Sequence, residues 1–191
     1  MNFQQVRQQL KLHNLEVFTT QEFINIFGVR RDVAAVKLTR YKQAGYLISP
    51  KRSVYYLANE VEDKYKIANK IYCPSYVSLD SALSKYDLIP ETVYTITSVT
   101  TKATREFTDN QTVYRYHRIK KKAFIGYHKE GDTLWADPEK AVVDFLYFVA
   151  QGKRKLNDRL QREKIDKSKV ISYAKFFNDK RLNKLITRIF K

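Results

Sequence analysis

The chain has 191 residues, 43% of them hydrophobic, enough to bury the core of one large domain or two small ones. Its formal net charge of +16 and pI near 9.8 exceed what solubility requires and point to a polyanionic partner, nucleic acid first. The single cysteine, Cys73, excludes an intramolecular disulfide and a cysteine-based zinc site. It is expected as a small buried apolar residue in a reducing compartment.

Residues 1–58 carry nine basic against three acidic side chains, a charge of +6. The opening MNFQQVRQQL lacks the apolar core of a signal peptide, and no later run approaches a membrane span, so a cytoplasmic protein without membrane contact is expected. Phe3, Val6 and Leu10 recur at helical spacing and predict a first helix ending near Leu12. Thr19 and Thr20 can cap a second helix whose Phe23, Ile26 and Phe27 share a face, and Gly28 supplies the positive φ that ends it. A third helix is predicted from Arg31 to Ala44, with Ala34, Leu38 and Tyr41 on its apolar face and Gly45 just past its end. Two β-like runs, Tyr46 to Ser49 and Ser53 to Ala58, flank Pro50, Lys51 and Arg52, which predicts a hairpin with a cationic tip.

This order is that of a winged helix-turn-helix, in which the third helix enters the major groove and the hairpin touches phosphate. The partner expected is double-stranded DNA, read at repeated half-sites. Arg30, Arg31, Lys37, Thr39, Arg40, Gln43, Lys51 and Arg52 are the candidate contacts. The cations can pin phosphates or read guanine O6 and N7, while Thr39 and Gln43 can reach base edges. Asp32 on the same helix is explained as a first-turn acid that favours the helix dipole. Three amphipathic helices closed by a hairpin would also build an ordinary small core.

Residues 59–151 are electrically neutral, with thirteen cations against thirteen acids, and a domain boundary is expected near residue 59. The division is then a DNA-binding domain at 1–58 and a second domain at 59–191. Asn59 to Ile71 places Val61, Tyr65 and Ala68 at helical spacing, which predicts a connecting helix. In YVSLDSALSKYDLIPE, Ser78 is expected to cap a helix through Tyr86 that Pro90 stops. The run VYTITSVTT from Val93 is dense in β-branched residues, and Val113 to Ile119 alternates Tyr114 and Tyr116 against Arg115 and His117, so both predict strands. Interleaved aromatics and cations from Tyr114 to Lys122 also fit a surface that stacks single-stranded bases. Asp137 and Pro138 start a helix whose Ala141, Val142, Phe145, Leu146 and Val149 form a wide apolar face. The fold class expected is α+β: a winged helix-turn-helix, then a mixed α/β domain with a helical C-terminus.

Four blocks in this order, YVSLDSALSKYDLIPE, TITSVTTKATREF, YRYHRIKKKAFIGY and ADPEKAVVDFLYF, resemble the AbiEi antitoxin family of abortive-infection systems. They span Tyr76 to Phe148, the N-terminal pattern extends the resemblance, and the last forty residues carry no matching motif. The resemblance implies an antitoxin of type IV toxin-antitoxin phage defence. Its winged domain would repress its own operon at promoter DNA, and its later domain would counter a nucleotidyltransferase toxin. A stand-alone winged-helix repressor is the alternative.

Asp132, Asp137, Glu139, Lys140 and Asp144 raise a second alternative, a metal-dependent nuclease. Asp137 and Glu139, however, sit where acids offset a helix dipole, and Asp144 falls where a helix surface needs polarity. His13, His117 and His128 lack paired ligand spacing, and there is no nucleophile elbow or glycine-rich phosphate loop. A non-enzymatic protein without cofactor or metal is expected. The last segment, 152–191, carries fourteen cations against four acids. There Leu182, Leu185, Ile186 and Ile189 share one helical face, while Lys180, Arg181, Lys184, Arg188 and Lys191 cover the rest. Lys180, Arg181, Lys184 and Arg188 form a candidate second basic surface, suited to DNA, a membrane surface or an acidic partner.

Overall fold

In the computed structural model, which describes residues 2–60, 63–109 and 112–191, two capping boxes start the first two helices. In α1 (Phe3–Leu12) Asn2 and Gln5 satisfy each other's backbone N–H groups, and in α2 (Thr20–Phe27) Thr19 and Glu22 do the same. Gly28 ends α2 in the left-handed region at φ 59°, with open space where a Cβ would stand. Its requirement is therefore conformational rather than steric. After Val29 and Arg30 comes α3 (Arg31–Gln43), on which Ala34 and Leu38 are buried.

Strands β1 (Val17–Thr19), β2 (Leu47–Lys51) and β3 (Val54–Leu57) make an antiparallel sheet in the order β1-β3-β2. Strand β1 has no counterpart in the sequence reading, because three residues are too few to display an alternation. The core beneath the sheet is Val6, Leu10, Phe18, Phe23, Ala34, Leu38, Leu47 and Leu57. The hairpin tip differs from expectation. Pro50 and Lys51 belong to β2, whose register shifts between Ile48 and Lys51, and the turn itself is Arg52 and Ser53. Ser53 takes φ 68° there, in the left-handed region.

Helix α4 (Lys64–Ile71) corrects the expected boundary. The chain separates into Met1–Ile71 with Phe107–Gln111, and Tyr72–Glu106 with Thr112–Lys191, so the break falls after Ile71 and not after residue 58. The cause is ionic as well as apolar. Lys66 pairs with Glu16 at 3.1 Å, Lys70 pairs with Glu22 at 2.5 Å, and Lys51 Nζ donates to the Ile71 carbonyl at 2.9 Å. Of the three residues that predicted this helix, Ala68 is buried and Tyr65 half-buried, while Val61 lies outside the described residues.

The second sheet runs β6 (Arg105–Thr108), β7 (Val113–Arg118), β5 (Ile96–Thr100), β4 (Ser75–Val77), β9 (Thr133–Ala136) and β8 (Tyr127–Glu130). It is mixed: β4 pairs antiparallel with β5 and parallel with β9, and β5 pairs parallel with β7. With α5 (Asp80–Lys85), α6 (Pro138–Ala150), α7 (Lys167–Lys175) and α8 (Lys180–Ile189), the described residues make a mixed α+β chain of eight α-helices and two sheets. No helix among them is long and apolar enough to cross a membrane.

Three expectations about single residues fail in this second unit. Ser78 does not cap α5: Leu79 holds the N-cap at φ 58°, and Ser78 Oγ donates to Asp144 at 2.8 Å. Asp144 is not on a helix surface, because α6 is buried from Glu139 through Phe148 and Asp144 is fully enclosed. Cys73 is exposed rather than buried, since it precedes the first strand of the sheet and stays outside it.

Candidate nucleic-acid interface

On α3 the buried line of Ala34 and Leu38, with half-buried Tyr41, decides what faces outward. At about 100° per residue, Asp32, Val36, Thr39 and Gln43 run along the opposite line. Arg31 and Lys42 flank it on one side, Arg40 and Val33 on the other, and all eight are exposed. The outermost stripe of the helix is thus not cationic; the cations border it. That is the distribution expected where side chains at the centre meet base edges and those at the sides meet phosphates.

The central residues differ in what they can offer. Thr39 Oγ1 donates to the Ala35 carbonyl at 2.8 Å, so its hydroxyl hydrogen is committed and it faces outward as an acceptor with a methyl group. Gln43 is exposed with both amide functions available. Val36 and Val33 are 51% and 39% exposed, apolar groups of the kind that contact a thymine methyl. Sequence reasoning passed over both valines, although their failure to fit the Ala34, Leu38 and Tyr41 stripe was the available signal. Asp32 is paired with Arg30, Nη2 to Oδ2 at 2.7 Å, with both side chains mostly in solvent. An exposed pair of this kind is worth only about 0–1 kcal/mol, so a phosphate can take Arg30 from it.

Lys37 is half-buried at the edge of the face, and Lys51 is the last residue of β2, beside the turn and not in it. The Lys51 ammonium is directed to the Ile71 carbonyl and lies 5.5 Å from the Phe107 ring centroid. Arg52, exposed in the turn, is the cation the hairpin presents. The structure therefore groups Arg31, Thr39, Arg40 and Gln43 on one helix face and sets Lys51 apart as an anchor of the hairpin.

The other candidates lie in the second unit. Lys180, Arg181, Lys184 and Arg188 are all exposed on α8, while Leu182, Leu185, Ile186 and Ile189 are buried. Arg181, Lys184 and Arg188 line a cleft of about 430 Å³ with Val149, Ala150 and Leu185. Tyr114 and Tyr116 are 0% exposed, so the expected base-stacking surface has no rings to offer. The acids of the nuclease alternative do not converge. Asp144 is sealed with Lys140, Asp132 is exposed in a turn, and Asp137 accepts from Tyr173 Oη at 2.7 Å and faces His128 Nδ1 at 2.8 Å. Among the described residues no three His, Cys, Asp or Glu side chains are placed to hold a metal ion.

No family model matches the sequence, and no curated protein matches it.

Proposed function

We propose that the chain is the antitoxin of a type IV toxin-antitoxin, abortive-infection system. It represses its own operon through an N-terminal winged helix-turn-helix and counters a nucleotidyltransferase toxin through its second unit. The observation that carries the DNA half is the α3 face. It follows α2 after a three-residue turn containing Gly28, presents Gln43, Thr39 and Val36 between flanking cations, and is followed by a hairpin that presents Arg52. A helix reader of this kind places three or four side chains on base edges and the wing on backbone.

The antitoxin half rests on the four sequence blocks between Tyr76 and Phe148. They coincide with the sheet and helices of the second unit: the first supplies β4 and α5, the second β5, the third β7 and the last α6. The α8 cations are a second nucleic-acid contact in this reading.

Two assays on the full chain test it. A reporter driven by the promoter upstream of the gene should be repressed by the wild type and released by Arg31→Ala with Arg40→Ala. Co-expression with the nucleotidyltransferase from the adjacent gene should restore growth, and the same double variant should still restore it. Repression without rescue would leave a stand-alone repressor, which the α3 face alone supports, lying wholly within the first unit.

A further inference from the structure

The second unit contains a cleft of about 600 Å³, a size that suits a small molecule the bulk of a mononucleotide. Arg154 is part of its lining. Its Nη1 donates to Asp80 Oδ2 and its Nη2 lies 3.2 Å from His117 Nε2. A guanidinium can only donate, so that nitrogen of His117 must be the unprotonated acceptor and the imidazole is neutral with its proton on Nδ1.

The acids in the lining are already engaged. Asp80 holds Arg154, and Glu91 accepts from Arg159 at 2.5 Å and from Asn157 at 3.0 Å. The lining carries one cation more than acids: Arg115 from β7, which pairs with Glu106 outside the lining at 2.7 Å, and Lys153, just after α6, complete the set, and Lys153 is exposed with no acidic partner among the described residues. Burial, then the charges of Arg154, Arg115 and Lys153, hold His117 down to about 4, against the opposing pull of Asp80. The uncharged Phe148 ring lies 5.2 Å from the His117 ring.

A second feature of the lining is independent of charge. Tyr94 is 87% exposed, the most exposed large hydrophobic side chain among the described residues, although tyrosine rings usually find partial cover. An open ring beside a cationic cleft is a stacking platform for a nucleobase.

We propose that this cleft binds a nucleoside phosphate, with the phosphate held by Lys153 and Arg154 and the base stacked on Tyr94. The site lies entirely within the second unit and holds whatever the first unit binds. A bound dianion neutralises the cations around His117 and so makes protonation of its ring easier.

The test uses the full chain with AMP, inorganic phosphate and adenosine as probes, read by calorimetry and by the His117 ring resonances across pH. AMP should bind more tightly than either fragment, and it should move the His117 titration upward from about 4. Lys153→Ala should weaken AMP and phosphate by about tenfold, the loss expected for one charged hydrogen bond. Tyr94→Ala should weaken AMP by about tenfold while leaving phosphate unchanged. Both side chains are exposed, so neither change threatens the fold. No saturable binding near about 10 mM AMP, or AMP binding that leaves His117 unmoved, would overturn the site. Equal binding of AMP and phosphate with no effect of Tyr94→Ala would overturn the nucleoside assignment.

Discussion

Lys140 and Asp144 stand one turn apart on α6 with both side chains sealed from solvent, the ammonium donating to Asp144 Oδ1. The other carboxylate oxygen accepts from Ser78 Oγ at 2.8 Å and Tyr76 Oη at 3.1 Å, and the Lys140 ammonium lies 4.9 Å from the Phe177 ring centroid. Burial pulls Lys140 below and pushes Asp144 above their ordinary ranges, and their mutual attraction opposes both movements.

Removing one partner leaves the other charge buried and unpaired. Lys140→Met and Asp144→Leu should each destabilise the protein by about 3–5 kcal/mol in denaturant unfolding, and the double variant by clearly less than their sum. Additive losses would show that the two side chains are not coupled.

On the hairpin, Arg52 and Lys51 should separate. Arg52→Ala should weaken every duplex and flatten the salt dependence of binding by up to about 0.9 in log–log slope, the value for one lost phosphate contact. Lys51→Ala should barely change that slope and should instead lower stability, because its ammonium serves the Ile71 carbonyl. Equal slopes for the two variants, measured by titration from low to moderate salt, would reverse their roles.

Base readout on α3 should depend on Gln43. Gln43→Ala should cost about 1–3 kcal/mol of discrimination at one base pair and leave nonspecific affinity intact. Thr39 offers only an acceptor and a methyl, so Thr39→Val should alter preference at its own position without a general loss. Competition with single-base operator variants reads both effects.

The cap of α2 supplies a fourth expectation. Thr19→Ala should cost about 1 kcal/mol, since the Thr19 hydroxyl accepts from the Glu22 backbone N–H at 3.2 Å. Glu22 is partly desolvated, which raises its pKa, but hydrogen bonds from Lys70 and Thr19 outweigh this and leave it below the usual carboxylate range. Its contribution is therefore present above the unfolded glutamate pKa and lost as pH falls through the lower folded value. Glu22→Gln should remove that part of the acid dependence of unfolding.

His117 acts in a higher window. Its folded pKa of about 4 lies below the ordinary histidine value of 6.5, so between these values the unfolded chain takes a proton that the folded chain refuses. Stability should fall as pH drops through that window, with a slope of at most about 1.4 kcal/mol per pH unit. His117→Asn should flatten the slope in denaturant titrations run across this range.

What the sequence alone determined is local. The boundaries of α1, α2 and α3 follow from caps, from Gly28 and from apolar spacing, all of which act within a few residues. Tyr114 and Tyr116 declared the buried face of β7 by alternation, and Leu182, Leu185, Ile186 and Ile189 declared that of α8. The cationic order of the first fifty-eight residues, and hence the candidate DNA face, was legible for the same reason. Tertiary structure decided where a side chain's partner lies far along the chain. Lys51 looked like a wing cation until Ile71, twenty residues on, accepted its ammonium. Asp144 looked like surface polarity until Ser78 and Tyr76 were folded onto it. Arg154, His117 and Asp80 carry no common spacing, and α5, β7 and the segment after α6 make them one site only by packing together. Periodicity reports which way a side chain points; whether a charge there meets water or a buried partner depends on which distant backbone the fold brings opposite it.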